Sequence, residues 1–433
     1  MSDLQITGVR ALQILDSRGY PTVKVWLQHS DGVVSAASAP SGVSTGAHEA
    51  VELRDGGQEY SGRGVQKAVT NVRSEISDLL TSRRWQSLAD LDQAMVGLDG
   101  TSARSRLGAN ATVAVSMAAA RAFAAAAGTP LHAWIAQTLG RSGRLPVPHF
   151  NVLNGGRHAA NPLEFKEFMI APAGAPSFAD GVRWGSDVYH ALSRRLRKQG
   201  LTTGLGDEGG YAPAMDRPEE ALDLIVAAIG DAGYTPGRDG IAIALDPAAN
   251  SFYAHGTYTV GGRARTSEQM IAYYDKLITD YPIWSLEDPL AEDNEGWPAL
   301  TAALGNRVQV VGDDLFVTSA DRVRDGVRTA SATAALIKPN QAGTVSETFD
   351  ALTAAHEGGF AAMVSHRSGE TDDTFVADLA VGSGCGQLKS GAPARGERVA
   401  KYNRLLEITD ANPDLPYGPL GTQLTDRKLP HRR

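Results

Sequence analysis

Six ionisable residues stand at the ends of six short apolar runs, and their spacing limits the fold more than any other feature of the chain. Ile241-Ala-Ile-Ala-Leu ends in Asp246, Ile283-Trp-Ser-Leu in Glu287, and Val308-Gln-Val-Val-Gly in Asp313. Ala334-Ala-Leu-Ile ends in Lys338, Phe360-Ala-Ala-Met-Val-Ser in His366, and the 384–388 segment in Lys389. Successive charges lie 41, 26, 25, 28 and 23 positions apart, which is the length of a strand, a helix and their loops. Apolar runs separated by helix-length segments are the pattern of repeated βα units, and a closed barrel is their natural architecture. The strand ends of such a barrel share one mouth, where barrel enzymes keep their chemistry. One strand-end charge can merely meet solvent, but six in register describe a site.

The part of the chain before residue 139 reads differently. Alternation over Thr22–Leu27 and a short β-like run over Gly32–Ala37 predict an antiparallel sheet. Helical patterns follow over Gly64–Leu80 and over the alanine-rich stretch from Ala111 to Ala127, with Asn110 as the expected N-cap and Gly128 as the stop. The alanine-rich stretch contains Ser116 and Arg121, and falls short of the ~20 strongly apolar residues of a membrane span. The 433 residues therefore divide into an α+β domain over 1–138 and a βα-barrel domain over 139–433, joined through the Arg141–Pro148 segment.

Charge and cysteine narrow the function. The balance of 41 basic against 49 acidic residues gives −8, without a basic block, which disfavours nucleic acid as a partner. The single cysteine, Cys385, excludes an intrachain disulfide framework and a cysteine-built zinc site. A cytoplasmic setting fits, and the N-terminal residues lack the basic and apolar regions of a signal peptide.

Asp246, Glu287 and Asp313, with neither thiols nor an HExxH pattern beside them, offer hard oxygen ligands suited to Mg²⁺ or Mn²⁺. Without a divalent ion, the clustered carboxylates would need lysines to offset their repulsion. Lys338 and Lys389 face that cluster, and a lysine close to other positive charge can act as a general base. The best-supported reaction is removal of a proton α to a carboxylate, with the developing enolate stabilised electrostatically. Elimination then needs an acid, and the glycine-rich Gly204–Gly210 loop offers Asp207 or Glu208.

Asp16-Ser-Arg-Gly, Ser41-Gly-Val-Ser-Thr-Gly, Gly206-Asp-Glu-Gly-Gly-Tyr-Ala-Pro, Gly312-Asp-Asp-Leu and Ser365-His-Arg-Ser-Gly-Glu-Thr resemble the enolase family, in order and across essentially the whole chain. The resemblance implies a modified TIM-type βα barrel behind an α+β N-terminal domain, and a homodimer or higher homo-oligomer. It also implies a small anionic phospho-carboxylate substrate and magnesium-dependent interconversion of 2-phosphoglycerate and phosphoenolpyruvate. On this basis Asp246, Glu287 and Asp313 hold the first of two Mg²⁺, Lys338 is the base, and Glu208 is the acid, assisted by Glu167. Lys389 binds the substrate carboxylate, Arg367 and Ser368 bind the phosphate, and His158 and His366 lie close to the substrate. Ser41, in a mobile lid, joins a second Mg²⁺ that arrives with substrate.

The sequence departs from the family pattern at Tyr20, Arg157, Lys166, Pro247, Pro339 and Gly396. Arg157 and Lys166 add positive charge to the loop carrying His158 and Glu167. They either turn outward or pair with Glu164, or they face the site and meet a further anionic group. The second arrangement suits an enolase-like enzyme of phosphonate or phosphinate biosynthesis, carboxyphosphonoenolpyruvate synthase, whose product carries an extra carboxylate on phosphorus. A non-catalytic binding protein of the same fold is a third reading, opposed by retention of the acid, base and metal-ligand positions.

Overall fold

The computed structural model describes residues 3–42, 46–159 and 161–419, with only the backbone of Arg157. The chain opens with an antiparallel sheet of β1 (Ile6–Leu15), β2 (Pro21–His29) and β3 (Val34–Ser38), in that order. The sequence alone predicts the second and third strands and misses the first. Only Ile6 and Ala11 of β1 are buried, so this edge strand lacks the apolar alternation that betrays β2, where Val23, Val25 and Leu27 all point into the core.

The predicted helix over 64–80 is interrupted: α-helical turns at Gln66–Asn71 and Ser77–Thr81 flank a π-helical turn at Val72–Ile76. After α1 (Leu88–Asp99), the alanine-rich segment forms α2 (Ala109–Ala126). Asn110 is not its N-cap. Gly108 takes that place with φ +97°, while Asn110 accepts from the Leu53 amide at 3.1 Å and donates to the Leu53 carbonyl at 3.1 Å. Gly128, at φ +62°, stops the helix as expected. Small alanines let α2 lie close against the sheet and the barrel, and most of it is buried, so its apolarity belongs to the protein core.

Eight strands close the barrel: β4 (Val147–Asn154), β5 (Glu167–Ala171), β6 (Ala242–Asp246), β7 (Ile283–Glu287), β8 (Gln309–Gly312), β9 (Ala334–Ile337), β10 (Ala361–Ser365) and β11 (Gln387–Lys389). The βα repeat expected from the spacing holds from β6 onward and fails at the start. β4 and β5 form a hairpin without an intervening long helix, and β5 runs antiparallel to both neighbours. Reversal puts the beginning of β5 at the mouth where the other strands end, so Glu167 pairs in register with Asn154 on one side and Asp246 on the other.

The two units are stitched together by buried polar contacts. Thr112 Oγ1 donates to the Gly343 carbonyl at 2.8 Å, and Arg104 pairs with Glu347 of α3 (Val345–Glu357). The Ala50 amide donates to the Gln341 carbonyl at 2.9 Å, which brings the 46–50 segment to the barrel mouth.

Candidate active site

Each of the six predicted strand-end charges is the last residue of its strand or the one after it, and all six are buried. Burial of so many charges is tolerable only if they neutralise one another, and they do so through a web of lysines. Lys389 Nζ lies 2.9 Å from Asp246 Oδ2, 2.7 Å from Glu287 Oε1 and 3.2 Å from Glu167 Oε1. Lys338 Nζ lies 2.5 Å from Asp313 Oδ2, whose partner oxygen accepts from Gln341 Nε2 at 2.9 Å.

Lys166 belongs to the same web. Its ammonium is 3.2 Å from Asp246 Oδ2 and 3.5 Å from Glu167 Oε1, so it faces the site and does not pair with Glu164. The Glu164 carboxylate instead accepts from the Gly261 amide. Burial opposes the charge on Lys166, yet Asp246 and Glu167 hold its pKa well above the ordinary lysine value. The Arg157 side chain lies outside the described residues.

Glu208 sits between two histidines. His158 Nδ1 is 3.3 Å from its Oε1, His366 Nε2 is 3.4 Å from its Oε2, and Asn151 Nδ2 donates to Oε2 at 3.0 Å. Burial is the main cause that holds His158 at about 4 and His366 at about 3, so both rings are neutral at pH 7. Arg398 fixes the tautomer of His366. An arginine only donates, and its Nη1 lies 2.6 Å from His366 Nδ1, so the ring proton sits on Nε2, towards Glu208. Glu167 and Glu208 lie within 4.8 Å of one another beside His158. Burial, then the charge of Glu208, raises the Glu167 carboxyl well above the usual carboxylate range. Asp207, the other acid considered, is only half-buried and its carbonyl serves Arg398.

Arg367 is buried with its guanidinium on Glu49, Nη1 to Oε2 at 2.8 Å. The adjacent Ser368 presents its carbonyl to Arg398 at 2.6 Å. The cavity at the mouth is lined by His158, Lys166, Glu167, Glu208, Lys338, Ser365, His366, Arg367, Ser368 and Lys389. Ser41 is not among them. Its backbone pairs with Gly369 in both directions, and its hydroxyl donates to Asp16 Oδ2 at 2.7 Å and accepts from Arg18 at 3.1 Å. In the described structure the Ser41 hydroxyl is engaged by these two side chains. Residues 43–45 of that loop lie outside the described residues.

Two supporting residues escaped the sequence reading. Arg398 and Glu49 act across 32 and 318 positions on His366 and Arg367. No local pattern could connect such partners.

One family model, "Enolase, C-terminal TIM barrel domain", matches residues 142–415, and a second, "Enolase, N-terminal domain", matches residues 6–135. The chain belongs to the enolase family. Enolase-family membership implies Mg²⁺, and the donor set here fits that ion. Asp246, Glu287 and Asp313 end three adjacent strands. Burial, then the charge of Asp246, pushes Glu287 up to about 8. Both Glu167 oxygens, moreover, lack a hydrogen bond. Asp288 and Asp314 also approach Asp313. Asp288, however, spends its two oxygens on the amides of Asp313 and Asp314, which fixes the backbone at this strand exit.

Proposed function

We propose that the chain is a carbon–oxygen lyase that removes the α-proton of 2-phosphoglycerate and expels the 3-hydroxyl as water, giving phosphoenolpyruvate. The observation that carries this reading is the lining of one cavity by a lysine, a closely spaced carboxyl pair and separate cationic groups for two anions. Lys338 takes the C2 proton, and the electron pair left behind becomes the enolate. As the enolate collapses, the C3–O bond breaks and the proton of the Glu167–Glu208 pair leaves with the hydroxyl. Lys389 meets the substrate carboxylate and Arg367 with Ser368 its phosphate, while His158 and His366 orient Glu208. Magnesium held by Asp246, Glu287 and Asp313 would draw charge from the substrate carboxylate and acidify the α-position.

Exchange separates the two proton steps. In D₂O the wild type should exchange the C2 hydrogen and release phosphoenolpyruvate. Lys338→Ala should lose the exchange, while Glu208→Gln should retain it and lose the product. Equal exchange in wild type and Lys338→Ala would assign the base elsewhere.

A second reading is favoured by Lys166. A buried ammonium beyond those that 2-phosphoglycerate requires supports a substrate bearing one more anionic group, as in formation of carboxyphosphonoenolpyruvate. The same Lys338 and carboxyl-pair chemistry serves both readings.

A further inference from the structure

Glu49 is a buried carboxylate placed on the guanidinium that the proposed function gives to the substrate phosphate. Its Oε2 accepts from Arg367 Nη1 at 2.8 Å, and its Oε1 from Arg367 Nη2 at 3.3 Å, so the contact is two-pronged. Oε1 also accepts from Gln341 Nε2 at 3.2 Å and from the Gly46 amide at 2.9 Å. Gln341 in turn donates to Asp313 Oδ1 and accepts from Thr318 Oγ1, which itself accepts from the Lys338 amide at 2.9 Å. A segment of the N-terminal domain thereby touches the phosphate arginine and, through one glutamine, the positions assigned to metal and base.

We propose that Glu49 is an affinity-setting residue: its carboxylate competes with the substrate phosphate for Arg367 and moderates how tightly the anion is held. Two anions at one guanidinium repel each other at short range in a buried setting. Arg367 is screened from weaker anions by a partner that only a multiply charged group displaces. The competition is also reciprocal. Whatever phosphate does to the Glu49 contact, the Glu49 segment does to phosphate affinity by the same factor. Because the Ala50 amide bonds the Gln341 carbonyl beside this contact, phosphate should loosen that amide.

The inference rests on assigning Arg367 to phosphate, and the test separates the two. Inorganic phosphate binding to the full chain is measured by calorimetry for wild type, Glu49→Gln and Arg367→Gln, with hydrogen exchange of the Ala50 amide followed in wild type. Arg367→Gln should lose phosphate binding; if it keeps wild-type affinity, the phosphate assignment falls and this inference with it. Glu49→Gln keeps the shape and removes the charge, and should bind phosphate about tenfold tighter. Weaker binding would make Glu49 a positioning residue for Arg367 and overturn the competition. Faster Ala50 exchange with phosphate in wild type supports displacement of Glu49. Unchanged or slower exchange overturns it, independently of how the variants fold.

Discussion

At the scale of single residues, the site is organised by cations that occupy carboxylate oxygens. Asp246 Oδ2 serves two ammonium groups, Lys389 at 2.9 Å and Lys166 at 3.2 Å. A buried ammonium costs several kcal/mol unless an anion meets it, so the occupancy of Asp246 decides what Lys166 does. If Asp246 bound a metal ion, Lys166 would keep only Glu167, at 3.5 Å, and a substrate with an additional acidic group would supply a second anion. If the native substrate has that group, Lys166→Gln should raise kcat/KM for 2-phosphoglycerate severalfold. A decrease from a wild-type value already in the common range of ~10⁴–10⁸ M⁻¹s⁻¹ would identify ordinary 2-phosphoglycerate as the substrate that Lys166 serves. The residues legible from sequence are those whose role follows from where a strand ends. Asp246, Glu287, Asp313, Lys338, His366 and Lys389 are of that kind. The lid role expected of Ser41 rests on the family resemblance, and the Asp16 and Arg18 side chains that meet its hydroxyl come from a different turn.

At the scale of elements, the joint between α1, α2 and α3 contains an unusual acid. Asp92 of α1 accepts at Oδ2 from Ser116 of α2 at 2.8 Å and from both the amide and hydroxyl of Ser346 of α3, at 3.0 and 2.7 Å. It thus caps the first turn of a barrel helix from the other domain. Burial raises Asp92 to about 7, against the opposing hydrogen bonds from Ser346 and Ser116. The folded value lies above the unfolded value of 3.8, so the native state holds a proton that the unfolded chain has released. Stability should therefore fall as pH rises from about 4 to about 7 and level off above, by roughly 4 kcal/mol at ~1.4 kcal/mol per unit. Asp92→Asn should flatten that slope in urea titrations across pH 4–8, and parallel slopes for the two proteins would refute it. Reversal of β5 was likewise hidden from the sequence. Glu167–Ala171 reads as a strand by its apolar residues, but an apolar run has the same pattern in either direction. The 155–166 connection is at the lower limit for a crossover helix, so its length alone does not decide between hairpin and crossover.

At the scale of the whole molecule, the two domains share one site. The N-terminal unit brings Glu49 to Arg367 and Asp92 to α3, so neither unit completes its polar contacts alone. They should unfold in one calorimetric transition, and Mg²⁺ should move that single transition upward. Asp246→Asn should abolish the shift. Two resolved transitions, or a wild-type magnesium shift in the variant, would contradict this account. The reversed β5 strand also has a consequence for how such a protein can change. The strands from β6 onward present chemistry at their exits, where an altered residue also disturbs the path into the next helix. β5 presents Glu167, with Lys166 just ahead of it, at its entrance, where the connection from β4 stays at the mouth and contains no long helix. That hairpin is the exchangeable part of the machine. The charge at Lys166 can change there, and with it what the site accepts, while Lys338 keeps its place at the exit of another strand.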